Sequence, residues 1–186
     1  KFRSQLLDNI GLLHICESPN IDETALPNEA PQLQAARLSL GKAFALKDQY
    51  TNHLIIGSDQ VAVCDGRILH KPGNHTNAIQ QLKFASGKSA LFYTGVCLLN
   101  SATGKHQVTV NTTTVTYRQL SELEIVSYLK QDMPYQCAGS FKSEGLGISI
   151  LEKIECSDPN ALIGLPLIDL LNMLRKENVN PLLNAF

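Results

Sequence analysis

Three things are scarce in this sequence of 186 residues: net charge, paired cysteines and long apolar runs. Sixteen basic side chains against seventeen acidic ones leave a net charge of -1. That balance excludes bulk binding to nucleic acid or to a membrane surface, which draws on a basic excess, so any positive patch must be local. The five cysteines (Cys16, Cys64, Cys97, Cys137 and Cys156) are odd in number and widely spaced. No C-x-x-C pairs them, and neither a disulfide framework nor a zinc site is spelled out. Four lie in apolar runs and read as buried, reduced thiols of a cytoplasmic protein. The longest apolar run, Ala90 to Leu99, is broken at Thr94-Gly95 and is too short to span a bilayer. No secretory leader is read. A P-loop, a dinucleotide fingerprint, H-E-x-x-H and G-x-S-x-G are all missing.

What remains is an ordinary globular composition, 44% hydrophobic and 18% charged. A single domain over residues 1–186 is long enough to bury roughly 70% of its unfolded surface. The pattern predicts a helix from Phe2 to Ile10 stopped by Gly11, a short strand from Leu12 to Cys16, and a polar loop from Glu17 to Pro31 carrying Asp22-Glu23. A helix follows from Gln32 to Asp48, with Leu33, Ala36, Leu40 and Phe44 as its apolar stripe. A strand over Leu54–Val63 turns at Asp65-Gly66 into a hairpin. A helix over Thr76–Ser86 ends at Gly87, and strands over Lys88–Asn100 and His106–Tyr117 come next. Ser121-x-x-Glu124 is a capping box opening a helix through Lys130. Ile148–Ile154 reads as a strand, Ser157–Asn160 as a turn, and Leu167 onward as an amphipathic helix begun by Pro166. The tail from Asn178 to Phe186 reads as loosely ordered. Strands interleaved with helices give an α/β or α+β class built on one mixed sheet.

One strand contains an anomaly. Asp59 sits in Leu54–Val63, where acids are depleted and a buried carboxylate costs several kcal/mol unless it is paired or binds metal. Gly57 shares its face and removes side-chain bulk beside it. A solvated Asp at an amphipathic strand end is the plain alternative. Lys42 is bracketed on its helix by Leu38 and Leu46, which suits either a ligand or a stem laid over apolar surface. With Arg3, Asp22, Glu23, Lys71, Lys142 and Glu144, these residues suit a phosphorylated substrate and a hard divalent cation. Lysines supply point charges to phosphate, and Mg²⁺ takes one or two carboxylates and keeps its waters. A surface location for each lysine is the alternative. Cysteine catalysis by Cys64 or Cys97 is disfavoured by apolar neighbours and the want of an adjacent His.

The motifs, taken in order, resemble the Maf family of nucleoside triphosphate pyrophosphatases. They are Arg3-x-x-Leu-Leu, Asp22-Glu23-Thr24, Lys42-Ala43, Ile55-Ile56-Gly57-Ser58-Asp59, Lys71-Pro72, Ser86-Gly87, Tyr93-Thr94-Gly95, Arg118-x-Leu-Ser-x-x-Glu124-Ile125-x-x-Tyr128, Ala138-Gly139 and Ile163-Gly164-Leu165-Pro166-Leu167. Ser58-Asp59-Gln60 with Gly139–Gly145 is similar to the branch that hydrolyses 7-methyl-GTP. The sister branch acts on dTTP and UTP and usually has Asp-Thr at the first place. The resemblance implies a two-lobed α/β fold with an elongated mixed sheet flanked by helices, of the inosine triphosphate pyrophosphatase kind. It also implies cleavage to monophosphate and pyrophosphate, a divalent metal (Mg²⁺ or Mn²⁺), a cytoplasmic location and a homodimer. By position Asp59 matches the proton acceptor and, with Glu23, a metal ligand. Arg3, Lys42, Lys71 and Lys142 fall to phosphate binding, while Phe2, Gln60 and Glu144 match the positions that separate the branches. Phe2 would stack on the cationic base, worth roughly 0.5–2 kcal/mol, and Glu144 would accept from the guanine N1 and N2 donors. Phe2 as the first apolar residue of its helix is the plain alternative. Non-catalytic regulation of septum formation is a rival from another class. Family members begin with a strand ending in Ser-x-Ser-Pro, which is expected to be missing ahead of Lys1. Phe2 stands where Trp is usual, and Ser4 where a second Arg is common.

Overall fold

A computed structural model describes residues 2–183. Helix α1 (Phe2–Asn9) closes in a Schellman motif. The Leu12 and Gly11 N–H groups donate to the Leu7 and Asp8 carbonyls, with Gly11 at φ +68°. Helix α2 (Pro31–Phe44) starts with Pro at its first position, where no N–H is needed. Strands β1 (Leu54–Cys64) and β2 (Arg67–Ile68) form a hairpin whose two turn residues, Asp65 and Gly66, both have positive φ. Then come α3 (His75–Ala85), β3 (Ser89–Asn100), β4 (His106–Tyr117), α4 (Glu122–Asp132), β5 (Leu151–Glu155), α5 (Pro159–Ile163) and α6 (Leu167–Lys176). The sheet runs β2-β1-β3-β4-β5, and the β1–β2 and β4–β5 pairs are antiparallel. The α/β class read from the sequence is the class of the fold.

The chain divides into two compact units. The first holds residues 1–59, 94–111 and 158–186, and the second residues 60–93 and 112–157. In the first, the inward faces of α1 (Leu6, Leu7) and α6 (Leu167, Leu170, Met173, Leu174) bury against Val96 and Leu98 of β3. Asp158, almost wholly buried, accepts from the Asn160 and Ile168 N–H groups and so caps both α5 and α6. The second unit packs Ala78, Leu82 and Ala85 of α3 and Ile125, Tyr128 and Leu129 of α4 as its buried helix faces. Its Phe141 ring makes edge contacts with Phe92 and Tyr117.

Four sequence expectations are corrected. Residues 12–16 form no strand: Leu13 is fully exposed and Ile15 largely so, because the segment has no ladder partner among the described residues. Strand β5 begins at Leu151, since a 3₁₀ turn over Leu146–Ile150 takes up the start of the expected run. The Ser157–Asn160 turn is the capped start of α5. Of the five cysteines, all free, only Cys64 and Cys97 are buried, while Cys16 and Cys156 are exposed. The last residues of the tail, Asn184 to Phe186, lie outside the described residues.

Candidate active site

The site is built by how α2 lies on the sheet. The face of α2 that is buried is Gln34, Ala35, Leu38, Ser39 and Ala43, whereas Leu33 and Phe44 are exposed. The expected stripe through Leu33, Ala36, Leu40 and Phe44 is therefore rotated away from the core. Close approach explains it. A Cβ on Gly57 of β1 would lie 2.1 Å from the Ser39 carbonyl oxygen, and one on Gly95 of β3 would lie 2.3 Å from Ser39 Oγ. Small residues on the helix meet glycines on the strands, and Leu33 and Phe44 are turned outward. Gly57 thus leaves no opening beside Asp59; the backbone of α2 fills that space.

This contact sets Lys42 over Asp59. Lys42 Nζ donates to Asp59 Oδ1 at 2.6 Å and also lies 2.6 Å from Glu23 Oε1. Lys42 and Asp59 side chains keep only 17% and 14% of their exposure, and Glu23 keeps 52%. The Lys42–Asp59 pair is therefore largely desolvated, and Glu23 closes it from the solvent side. Ser39, one helical turn before Lys42, accepts from the Asp59 N–H at 3.1 Å and donates to the Ala35 carbonyl at 2.6 Å. Ser58 Oγ lies 2.8 Å from the carbonyl oxygens of both Gly95 and Gly164. Arg3 Nε donates to the same Gly164 carbonyl at 2.7 Å. Crowding by protein atoms draws the Arg3 pKa down from its usual value, while the charges of Asp59 and Glu23 draw it back. Under those opposing pulls the guanidinium stays a cation.

The loop bearing Glu23 is tied by residues not singled out from the sequence. Arg37 on α2 grips both Glu29 carboxylate oxygens (2.6 and 2.7 Å) and donates to the Thr24 carbonyl at 3.0 Å. Asp22, paired with Glu23 in the sequence, instead accepts from the Thr24 N–H in a local turn. Ser39 and Gly164 hold Asp59 and Arg3 directly, and Arg37 and Glu29 hold the loop that bears Glu23. A buried serine or a loop carboxylate leaves no periodic signal, although Gly164 stands in a quoted motif.

The first unit thus brings together Arg3, Glu23, Lys42 and Asp59, with Phe2 40% exposed on α1. Gln60, Lys71, Lys142 and Glu144 belong to the second unit. There Gln60 follows Asp59 on β1, and Lys71 and Glu144 are exposed. Lys142 Nζ donates to the Asp132 carbonyl at the end of α4, and its N–H donates to the Tyr128 hydroxyl. The glycine-rich segment is close-packed: a Cβ on Gly147 would lie 2.0 Å from the Lys142 carbonyl oxygen.

Among the described residues, no three or more His, Cys, Asp or Glu side chains gather as a ready-made metal cage. Glu23 and Asp59 do converge on one cation position, the Lys42 ammonium. Two carboxylates suit a Mg²⁺ that completes its sphere with waters and substrate phosphate. Cysteine chemistry fits poorly, since burial pushes the Cys97 thiol up to about 11 and the Cys64 thiol above its ordinary value.

The Maf-like protein family matches residues 1–177, and the chain belongs to that family. Two relatives bear the name 7-methyl-GTP pyrophosphatase. One, from Colwellia psychrerythraea, is 49% identical over 181 residues, covering 97% of this chain and 90% of its own. The other, from Idiomarina loihiensis, is 48% identical over 184 residues, covering 98% and 93%. No helix among the described residues is long and apolar enough to cross a membrane.

Proposed function

We propose that the protein is a hydrolase that splits a nucleoside triphosphate, 7-methyl-GTP before others, into the monophosphate and pyrophosphate. The observation that carries this reading is the cluster of Arg3, Glu23, Lys42 and Asp59, set on α1, α2, β1 and the loop before α2 in a Maf family chain. The substrate comes from the names of the two relatives.

In this reading Asp59 accepts the proton of the attacking water as its oxygen bonds to phosphorus and the phosphoanhydride breaks. A carboxylate with a pKa near 4 does not deprotonate bulk water unaided. Glu23 and Asp59 would hold a divalent cation, which would acidify water and offset phosphate charge when bound. Lys42 and Arg3 neutralise the charge that gathers on the departing pyrophosphate, and Lys71 and Lys142 are assigned to phosphate binding by their family positions. Phe2 stacks on the methylated base by a cation–π contact, and Gln60 and Glu144 select it.

The test is incubation of the protein with Mg²⁺ and a panel of triphosphates, scoring pyrophosphate against orthophosphate. Pyrophosphate release, fastest from 7-methyl-GTP, is expected. Orthophosphate release, or no turnover of any member, rejects the reading. Preference for dTTP or UTP would place the chain in the sister activity, against which Glu144 argues. No turnover together with nucleotide binding would favour a regulator.

A further inference from the structure

A single ammonium group stands where two carboxylates converge. Lys42 Nζ is 2.6 Å from an oxygen of Asp59 and 2.6 Å from an oxygen of Glu23. Mg²⁺ and similar ions bind carboxylate oxygens at about 2.0–2.1 Å. An ion drawn to these two oxygens would compete for them with the ammonium that already engages both, and the two like charges repel. The site also balances internally: Arg3 and Lys42 supply two positive charges, Glu23 and Asp59 two negative ones. A cation arriving alone must displace a largely desolvated lysine from both partners and leave it uncompensated. A triphosphate arriving alone meets a lysine already engaged.

Resting on the proposed reaction, we infer that Lys42 is an exchangeable placeholder for the divalent cation, and that cation and triphosphate bind as a coupled pair. When both arrive, the ion takes the carboxylates and Lys42 passes to phosphate. Every charge then has a partner on each side of the exchange. Coupling of this kind is reciprocal: each ligand raises the affinity of the other by the same factor. The Arg3 side chain, held by the Gly164 carbonyl through Nε, stays in place during the exchange. The consequence is protection from metal capture without substrate, since the protein itself fills the cation position.

The probe is Mn²⁺ alone, its free concentration read by electron paramagnetic resonance with no nucleotide present. Wild-type protein is expected to bind weakly. Lys42→Met, which keeps the apolar stem and removes the ammonium, is expected to lower the Mn²⁺ Kd at least tenfold. Adding Glu23→Gln to that variant should abolish the gain. Far-UV circular dichroism establishes that each variant is folded, and Lys42→Gln replaces the Met variant if that one is not. An unchanged or weaker Mn²⁺ Kd in the folded variant overturns the inference. So does a gain that survives Glu23→Gln. Wild-type pyrophosphate release, assayed in parallel, separates the two claims. Turnover without the Mn²⁺ gain rejects the placeholder alone, and the gain without turnover rejects the reaction alone.

Discussion

Asp59 is held from two directions, and the two contacts do different work. Lys42 compensates its charge, while the Ser39 hydroxyl fixes its backbone by accepting the Asp59 N–H. Replacing the carboxylate while keeping its shape isolates the chemistry. Asp59→Asn is expected to slow pyrophosphate release by about 10²–10⁴-fold with the fold intact, the size typical of a lost general base. A near-normal rate would remove Asp59 from the reaction. Ser39→Ala acts differently, because it strands a polar group behind α2. We expect a stability loss of about 1–3 kcal/mol by urea unfolding, the cost of an unsatisfied buried N–H. A fall in kcat larger than any rise in KM should accompany it, as Asp59 loses its placement. A variant of unchanged stability would show that the Asp59 N–H finds another acceptor.

At the scale of elements, the Glu23 loop depends on the grip of Arg37 on Glu29. That guanidinium holds the Glu29 carboxyl down to about 2 from its ordinary 4.5. A group whose folded pKa lies below its unfolded value adds stability above the unfolded value. That contribution is lost as pH falls from about 4.5 toward about 2. The wild-type melting temperature should therefore drop more steeply across this window than that of Glu29→Gln, as thermal scans at stepped pH would reveal. Parallel curves would mean that the contact is too solvated to matter. Helix α2 also shows where the sequence misleads. Its largest apolar residues suggested an inward stripe, yet the buried face is Ala35, Ser39 and Ala43 around Leu38. Helix–sheet distance chose the small residues, and that distance was encoded in Gly57 and Gly95 on other elements. Helix α6 was legible because a single row of leucines settles its orientation. The strand expected at residues 12–16 failed for the opposite reason: composition favours extension, but a strand exists only where another accepts its hydrogen bonds.

For the whole molecule, the class of fold and most of its elements were legible, and the four residues that meet in the first unit were among those singled out. Spatial convergence and the supporting residues were not, since Ser39 and Gly164 act through contacts distant in sequence, and the Glu29–Arg37 pair joins a loop to a helix with no periodic pattern to announce it. Apolar neighbours in the sequence overstate the burial of the cysteines. A thiol reagent should modify Cys16 and Cys156 quickly in the folded protein and reach Cys64 and Cys97 only on unfolding. Fast labelling of all five without denaturant would contradict that order. Under the proposed reading, Gln60 and Glu144 of the second unit select the base. Gln60→Thr with Glu144→Gln should shift preference toward unmethylated pyrimidine nucleotides, read from kcat/KM across the panel. An unchanged ranking would count against Gln60 and Glu144 as selectors.

The boundary between the two units falls inside β1, between Asp59 and Gln60. Neighbouring residues of one strand thus answer to separate cores: Asp59 to the helix α2 packing, Gln60 to the unit that also holds Glu144. Under the proposed roles, inheritance can revise the base a descendant prefers while the hydrolytic half is left untouched. Gene duplication followed by drift in residues 60–93 and 112–157, with Lys71 and Lys142 kept for phosphate, would then yield enzymes of one chemistry and many diets, with Phe2 the one selector outside that module.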